Sequence, residues 1–206
     1  MGDVQTETEV LEIVYATAGT GPLLERVYTA VIEGTGITPE SLARSVRERF
    51  ETFAPTETAC FRRACKEPGP LDVGDELDIK IALLGNCRVR VVHVDPRSVT
   101  LRTLKGHPEA GRISFGALRD GKGRPAFRIV SRTRASGLKS YLGYLVLGKQ
   151  MQSRCWIRFI DRVAADSGGR VAGGRIRVRT REAVEDAGDR GECDTPTLDC
   201  GQPLGD

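Results

Sequence analysis

Only two histidines occur in the 206 residues. One of them, His107, stands in the corner Gly106-His107-Pro108-Glu109. An imidazole titrates near neutrality, so at a pocket rim it serves as a general base or a ligand contact. Glu109 is the candidate carboxylate to orient it. In a tight turn the same ring instead hydrogen-bonds the backbone. No Gly-x-Ser-x-Gly nucleophile motif accompanies the histidine, which weighs toward the turn and leaves His107 as the sole candidate catalytic group.

Two other polar residues sit where apolar ones are expected. Gln152 interrupts an apolar helical stripe between Leu145 and Trp156. Ser131 shares a strand face with Phe127 and Ile129. A buried amide or hydroxyl needs a partner, which is a ligand, a water or a local backbone group. If both face a cavity, they orient a bound molecule; if not, they satisfy each other or the backbone. Phe115, Tyr141 and Trp156 are either the aromatic lining of that cavity or plain core.

The six cysteines, Cys60, Cys65, Cys87, Cys155, Cys193 and Cys200, include no Cys-x-x-Cys pair. Neither histidine stands at ligand spacing from them, so no structural metal site is expected. The polar, acidic start "MGDVQTETEV" is no secretory signal, so free thiols in a cytoplasmic protein are expected. No run approaches the roughly 18 apolar residues of a spanning helix. A net charge of +3, with bases and acids interleaved, gives no nucleic-acid footprint. No cofactor motif is present.

These residues need a scaffold. Residues 8–17 read as a first strand, and 22–34 as a helix on the spacing of Leu23, Leu24, Val27, Ala30 and Val31. Thr38-Pro39 opens a second helix, with Thr38 as cap and Leu42, Val46, Phe50 and Phe53 as its stripe. From 58 the period becomes two. Strands are expected over 58–67, 75–84 and 87–95, around Val99 and Leu101, around Ile113 to Ala117, and over 126–134. A phase shift at Val92 and Val94 suggests a bulge. Residues 138–164 lack proline and place Leu138, Tyr141, Leu145, Gly148, Gln152, Trp156, Phe159 and Val163 on one face of a long helix. Beyond it the chain is rich in Gly, Arg and acids. It reads as a flexible tail, 167–206, appended to a domain of residues 1–166, although "RIRVRTR" alternates enough to form a stray strand or to touch an anionic surface.

The order β-α-α-β6-α therefore predicts an α+β fold. A run of hairpin-connected strands with one apolar face must cover that face, and the C-terminal helix is the only element long enough. A curved antiparallel sheet of about seven strands gripping one helix leaves room for a small ligand between them.

The stretch "TLKGHPEAGRISF" over 103–115, then "SRTRAS" and "GKQMQSR", resembles a family catalogued as a domain of unknown function, numbered nineteen-ninety, within the START-like or Bet v 1-like (SRPBCC) superfamily. The chain keeps that family's Thr103, Leu104, Gly106, His107, Pro108, Glu109, Gly111 and Phe115, with Ser131-Arg132 and Gln152. It departs from the family pattern where a Gly-Glu-Glu is usual. Here Gly111-Arg112-Ile113 stands, Lys105 replaces a proline, and Leu101-Arg102 replaces a Tyr-Gly pair. Any acid pair working in relatives is absent from this chain. The resemblance implies a helix-grip fold and no settled activity.

The expected function is binding of an apolar or amphipathic small molecule under the helix. The expected contacts are Gln152, Ser131, Phe115, Tyr141 and Trp156, with His107 at the rim. A cyclase, isomerase or hydrolase working in the same cavity is the enzymatic alternative. An interaction module acting through the tail is the third.

Overall fold

The computed structural model describes residues 12–64, 69–82, 85–137 and 149–194, with the side chains of 149–152 left aside. Its centre is β1, Thr20–Glu33, a strand of 14 residues. This corrects the helix expected over 22–34. Burial alternates along it, with Arg26, Tyr28, Ala30 and Ile32 turned inward and Val27, Thr29 and Val31 outward. The apolar set fits a helical and a strand period equally well. Pairing with the last hairpin strand, in register from Leu24↔Thr133 to Val31↔Ala126, decides for the strand, where β-branched residues pack well. The strand expected over 8–17 is likewise replaced, within the described residues, by one bridge from Ile13 to Leu104 and a single 3-10 turn at Ala16–Ala18.

The helix α1, Pro39–Glu48, begins as its cap predicts, with Thr38 Oγ1 accepting from the Ser41 N–H. A short helix α2, Phe50–Phe53, follows. Together they bury Leu42, Ala43, Val46, Phe50 and Phe53. Six antiparallel strands come next: β2 Ala59–Arg63, β3 Glu76–Ile81, β4 Gly85–Asp95, β5 Ser98–Thr103, β6 Glu109–Arg119 and β7 Pro125–Ala135. The bulge read at Val92 is present, as a register shift between Val91 and His93. Gly111 sits at φ +144, and a Cβ there would lie 2.2 Å from the Arg132 carbonyl oxygen, so only glycine lets β6 and β7 approach this closely.

The helix α3, Lys149–Asp166, packs Cys155, Trp156, Phe159, Ile160, Val163 and Ala164 into the core. The preceding part of the expected helix, 138–148, lies outside the described residues. The aromatic centre is dense. Phe159 stands 5.2–6.3 Å, centroid to centroid, from Phe50, Phe115, Trp156 and Phe127.

The chain after α3 is not the solvated tail expected from its composition, at least to Asp194. Arg170–Val171 (β8) and Arg177–Glu182 (β9) both pair with the edge of β1. A four-residue helix, α4, Ala187–Arg190, then lies over the outer face of the sheet. Ion pairs rather than apolar burial hold this segment, which is why a hydrophobicity pattern does not find it. The result is a nine-stranded antiparallel sheet in the order β2-β3-β4-β5-β6-β7-β1-β8, with β9 also on β1. It grips the C-terminal helix in an α+β helix-grip arrangement.

Replacing Phe159 by alanine is expected to cost about 4 kcal/mol of stability, since it empties the point where four rings meet. The exposed Val184→Ala is expected to change it by less than about 0.5 kcal/mol. Urea denaturation of both variants measures the difference.

Candidate ligand site

Strand alternation on β7 turns Phe127, Ile129, Ser131 and Thr133 toward the helix. The neighbours of Ser131 across the ladder are Arg26 on β1 and Ile113 on β6. Two residues on, Thr133 donates its hydroxyl to Glu109 Oε1 at 3.0 Å. Arg26 Nη1 lies 3.9 Å from the same carboxylate oxygen. Tyr28, also on β1, meets Ser153 of α3 hydroxyl to hydroxyl at 3.2 Å. A polar patch, Arg26, Glu109, Thr133, Ser131 and Tyr28, thus lies on the inner face of β6, β7 and β1.

The patch borders the aromatic core. Phe115 packs edge-on to Phe50 at 4.9 Å and to Trp156 at 5.4 Å, so both residues expected as ligand contacts belong to the packed cluster. Among the buried polar atoms on this inner side, Ser131 Oγ and Trp156 Nε1 have no hydrogen-bond partner among the described residues. They come from the two layers that enclose the core, sheet and helix. Tyr141 lies outside the described residues; Gln152 belongs to α3, but its side chain is not described.

Burial pushes the Cys87 thiol up to about 12, helped by the Glu109 charge, and the Cys155 thiol to about 11. Both are protonated at neutral pH and are not nucleophiles. Among the described residues no three metal-ligating side chains converge.

His107 takes a different place. Its backbone N–H donates to the Leu104 carbonyl at 3.0 Å, closing the turn between β5 and β6. Its Nδ1 accepts from the Glu109 N–H at 3.0 Å. The ring is 9% exposed, and burial lowers its pKa to about 4. At neutral pH it is an uncharged ring holding the chain reversal.

Sequence reasoning missed Arg26 and Tyr28 because it placed them on a helix. The alternation Arg26, Tyr28, Ala30, Ile32 was the available signal. Thr133 follows Ser131 by two residues on the expected strand, so alternation was its signal too; Ser153 carries none short of the tertiary contact.

The family model described as a domain of unknown function, DUF1990, matches residues 15–164, and the chain belongs to that family. No curated protein sequence matches the chain. Among solved structures, a norcoclaurine synthase point mutant of Thalictrum flavum, in complex with a transition-state analogue, superposes with a TM-score of 0.50 at 7% identity, covering 72% of this chain and 99% of its own. A hypothetical protein of Helicobacter pylori gives 0.51 at 7% identity, covering 68% and 86%. The major latex-like protein 151 of Panax ginseng gives 0.46 at 15% identity, covering 71% and 99%. The first two likenesses are of fold alone, and that fold is the Bet v 1-like helix grip. No described helix is long and apolar enough to cross a membrane.

The buried imidazole makes stability depend on pH with a definite sign. The folded state binds its proton near pH 4 and the unfolded chain near 6.5. The stabilisation from the neutral ring is therefore complete above about pH 6.5 and is lost as pH falls toward 4, by up to about 3 kcal/mol. His107→Asn keeps an acceptor for the Glu109 N–H and removes the titration. Urea midpoints between pH 4 and 7 are expected to fall less steeply for that variant than for the wild type.

Proposed function

We propose that this member of the DUF1990 family binds an amphipathic small molecule between the concave face of the sheet and α3, with its polar end at Ser131. The observation that carries this reading is a pair of buried polar atoms, Ser131 Oγ and Trp156 Nε1, that have no hydrogen-bond partner among the described residues. A buried hydroxyl or indole N–H without a partner costs about 1–3 kcal/mol, and native proteins seldom leave one without a reason. A ligand carrying a hydrogen-bond acceptor recovers that cost for both donors. The walls beside them, Ile129, Phe127 and Phe115, suit an apolar body, while the Arg26–Glu109 pair marks a polar end. The proposal keeps Tyr141 and Gln152 as expected contacts. His107 is not given a proton-transfer role, because its Nδ1 is held by the backbone. Binding is therefore favoured over the cyclase or isomerase reading. The Thalictrum flavum synthase was solved with a small molecule bound, which shows what that protein accommodates and makes the same use of the fold reasonable here. The proposed setting is cytoplasmic, with no cofactor.

Two measurements test the reading. Protein purified from cells and analysed by native mass spectrometry is expected to carry a small molecule that denaturation releases. In a second arm, cis-parinaric acid is titrated into the protein stripped of that molecule, and energy transfer from Trp156, the single tryptophan, is followed. Ser131→Ala is expected to weaken the probe about tenfold, or about 1.4 kcal/mol. It is also expected to leave the ligand-free protein as stable as the wild type or up to about 1 kcal/mol more stable, since the orphaned hydroxyl is gone. Unchanged probe affinity combined with a loss of stability would assign the hydroxyl a purely structural role.

A further inference from the structure

The outer face of the same sheet carries a row of guanidinium groups. In register across neighbouring strands stand Arg90, Arg102, Arg112 and Arg132, continued by Glu25 on β1 and Arg181 on β9. The three central arginines are almost fully enclosed, Arg102 at 1%, Arg112 at 2% and Arg132 at 6% exposure. Like charges in adjacent strands repel, and buried cations need partners. The sheet itself supplies one, Glu25, which pairs with Arg132 at 2.6 Å and with Arg181 at 2.7 Å.

The remaining acids come from residues 184–194, beyond the residues matched to the family. Asp186 meets Arg112 at 2.5 Å, and Asp189 meets Arg132 at 2.6 Å and Arg112 at 3.4 Å. Asp194 pairs with Arg102 at 3.0 Å, and Glu185 with Arg134 at 2.6 Å. The segment also offers main-chain carbonyls. Arg132 donates to Val184, and Arg102 donates to Gly188 and Cys193. Gly188 lies directly on the Arg112 guanidinium, where a Cβ would come within 1.5 Å of Nη1. Tyr15 stacks on the far side of Arg102 at 4.8 Å. These are the features of peptide recognition: alternating carboxylate and carbonyl acceptors, a tight turn, and a stacked aromatic. A simple anion cannot span from Arg102 to Arg132 and satisfy them all. Among the described residues, Arg102 Nη1 is buried with no hydrogen-bond partner.

We propose that the Arg102–Arg112–Arg132 groove is a recognition site for an acidic Asp-x-x-Asp peptide. Residues 184–194 act as its resident ligand in cis, and an acidic segment of a partner protein takes their place. The site is on the opposite face of the sheet from the proposed ligand site and stands independently of it. A clasp held mainly by ion pairs opens locally more readily than the strands beneath it.

Three measurements on the full chain test this. In hydrogen exchange of the wild type, amides of 186–192 are expected to exchange at least a hundredfold faster than those of β6 and β7. Asp186→Asn/Asp189→Asn, which loosens the clasp, is expected to keep the Trp156 emission and the helix and sheet content of the wild type. It is also expected to bind a synthetic peptide of residues 184–194 at least tenfold more tightly than the wild type does, and adding Arg112→Gln is expected to abolish that gain. The proposal is overturned if the clasp exchanges only with global unfolding, or if the double variant unfolds. It is equally overturned if the folded double variant ignores the peptide, or if a peptide with both aspartates replaced by asparagine binds as tightly as the acidic one.

Discussion

The pairing of β1 with β7 is the contact on which the rest of the molecule depends. Nine positions of ladder, from Thr20↔Ala135 to Val31↔Ala126 with one irregularity, join the start of the domain to the end of its meander. Without it Arg26 and Tyr28 would not reach the concave face beside Ser131. The far edge of β1 would not receive β8 and β9, and the chain that follows β9 would not arrive over the outer arginines. One strand thus positions both the inner polar patch and the outer ionic one, because successive side chains point to opposite faces.

The two faces handle buried charge differently. On the inner face Arg26 and Glu109 form a long pair, with Thr133 bonding the same carboxylate. Arg26 is nearly enclosed, at 3% exposure, so its desolvation is offset locally and the surrounding surface stays apolar enough for core packing. On the outer face three adjacent guanidiniums are buried together. Burial lowers the hold of Arg112 on its proton, while Asp189 and Asp186 oppose that effect. Such clusters are weak evidence for stability, since desolvation offsets most of the Coulomb gain. Their consequence is dependence: once the cations are enclosed, removing the acids leaves uncompensated charge. The segment after α3 is therefore part of the electrostatics of the sheet although it adds almost nothing to the apolar core.

Much of the scaffold was legible from residue order. Thr38-Pro39 announced α1, and alternation announced β3 to β7. The phase shift at Val92 announced the bulge, and Trp156, Phe159 and Val163 announced the buried face of α3. The misreadings share a cause. Leu23 to Val31 satisfies two periods at once, so only the presence of a partner strand distinguishes them. Beyond the brief alternation of "RIRVRTR", residues 170–194 satisfy no apolar period, because what they bury is a set of ion pairs with residues far away in sequence. Ser131 was legible as a polar residue on an inner face, but the absence of a described partner for it was not. His107 was legible as a residue of the corner, and its enclosure, which makes it neutral, required the packing around it.

The sequence by itself therefore determined the α+β class, the grip of a sheet on a C-terminal helix, the family motif around Gly106-His107-Pro108-Glu109, and the aromatic contribution to the core. These follow from local spacing and composition, which a chain carries wherever it folds. Only the tertiary structure decided that β1 is a strand, that Arg26 faces Glu109 across the inner sheet, and that Asp186 and Asp189 cover Arg112 and Arg132. Each of those joins residues far apart in sequence, 57 positions for Arg132 and Asp189 and 74 for Arg112 and Asp186, or decides between equal local periods, and no periodicity encodes which distant charge or strand will be the partner.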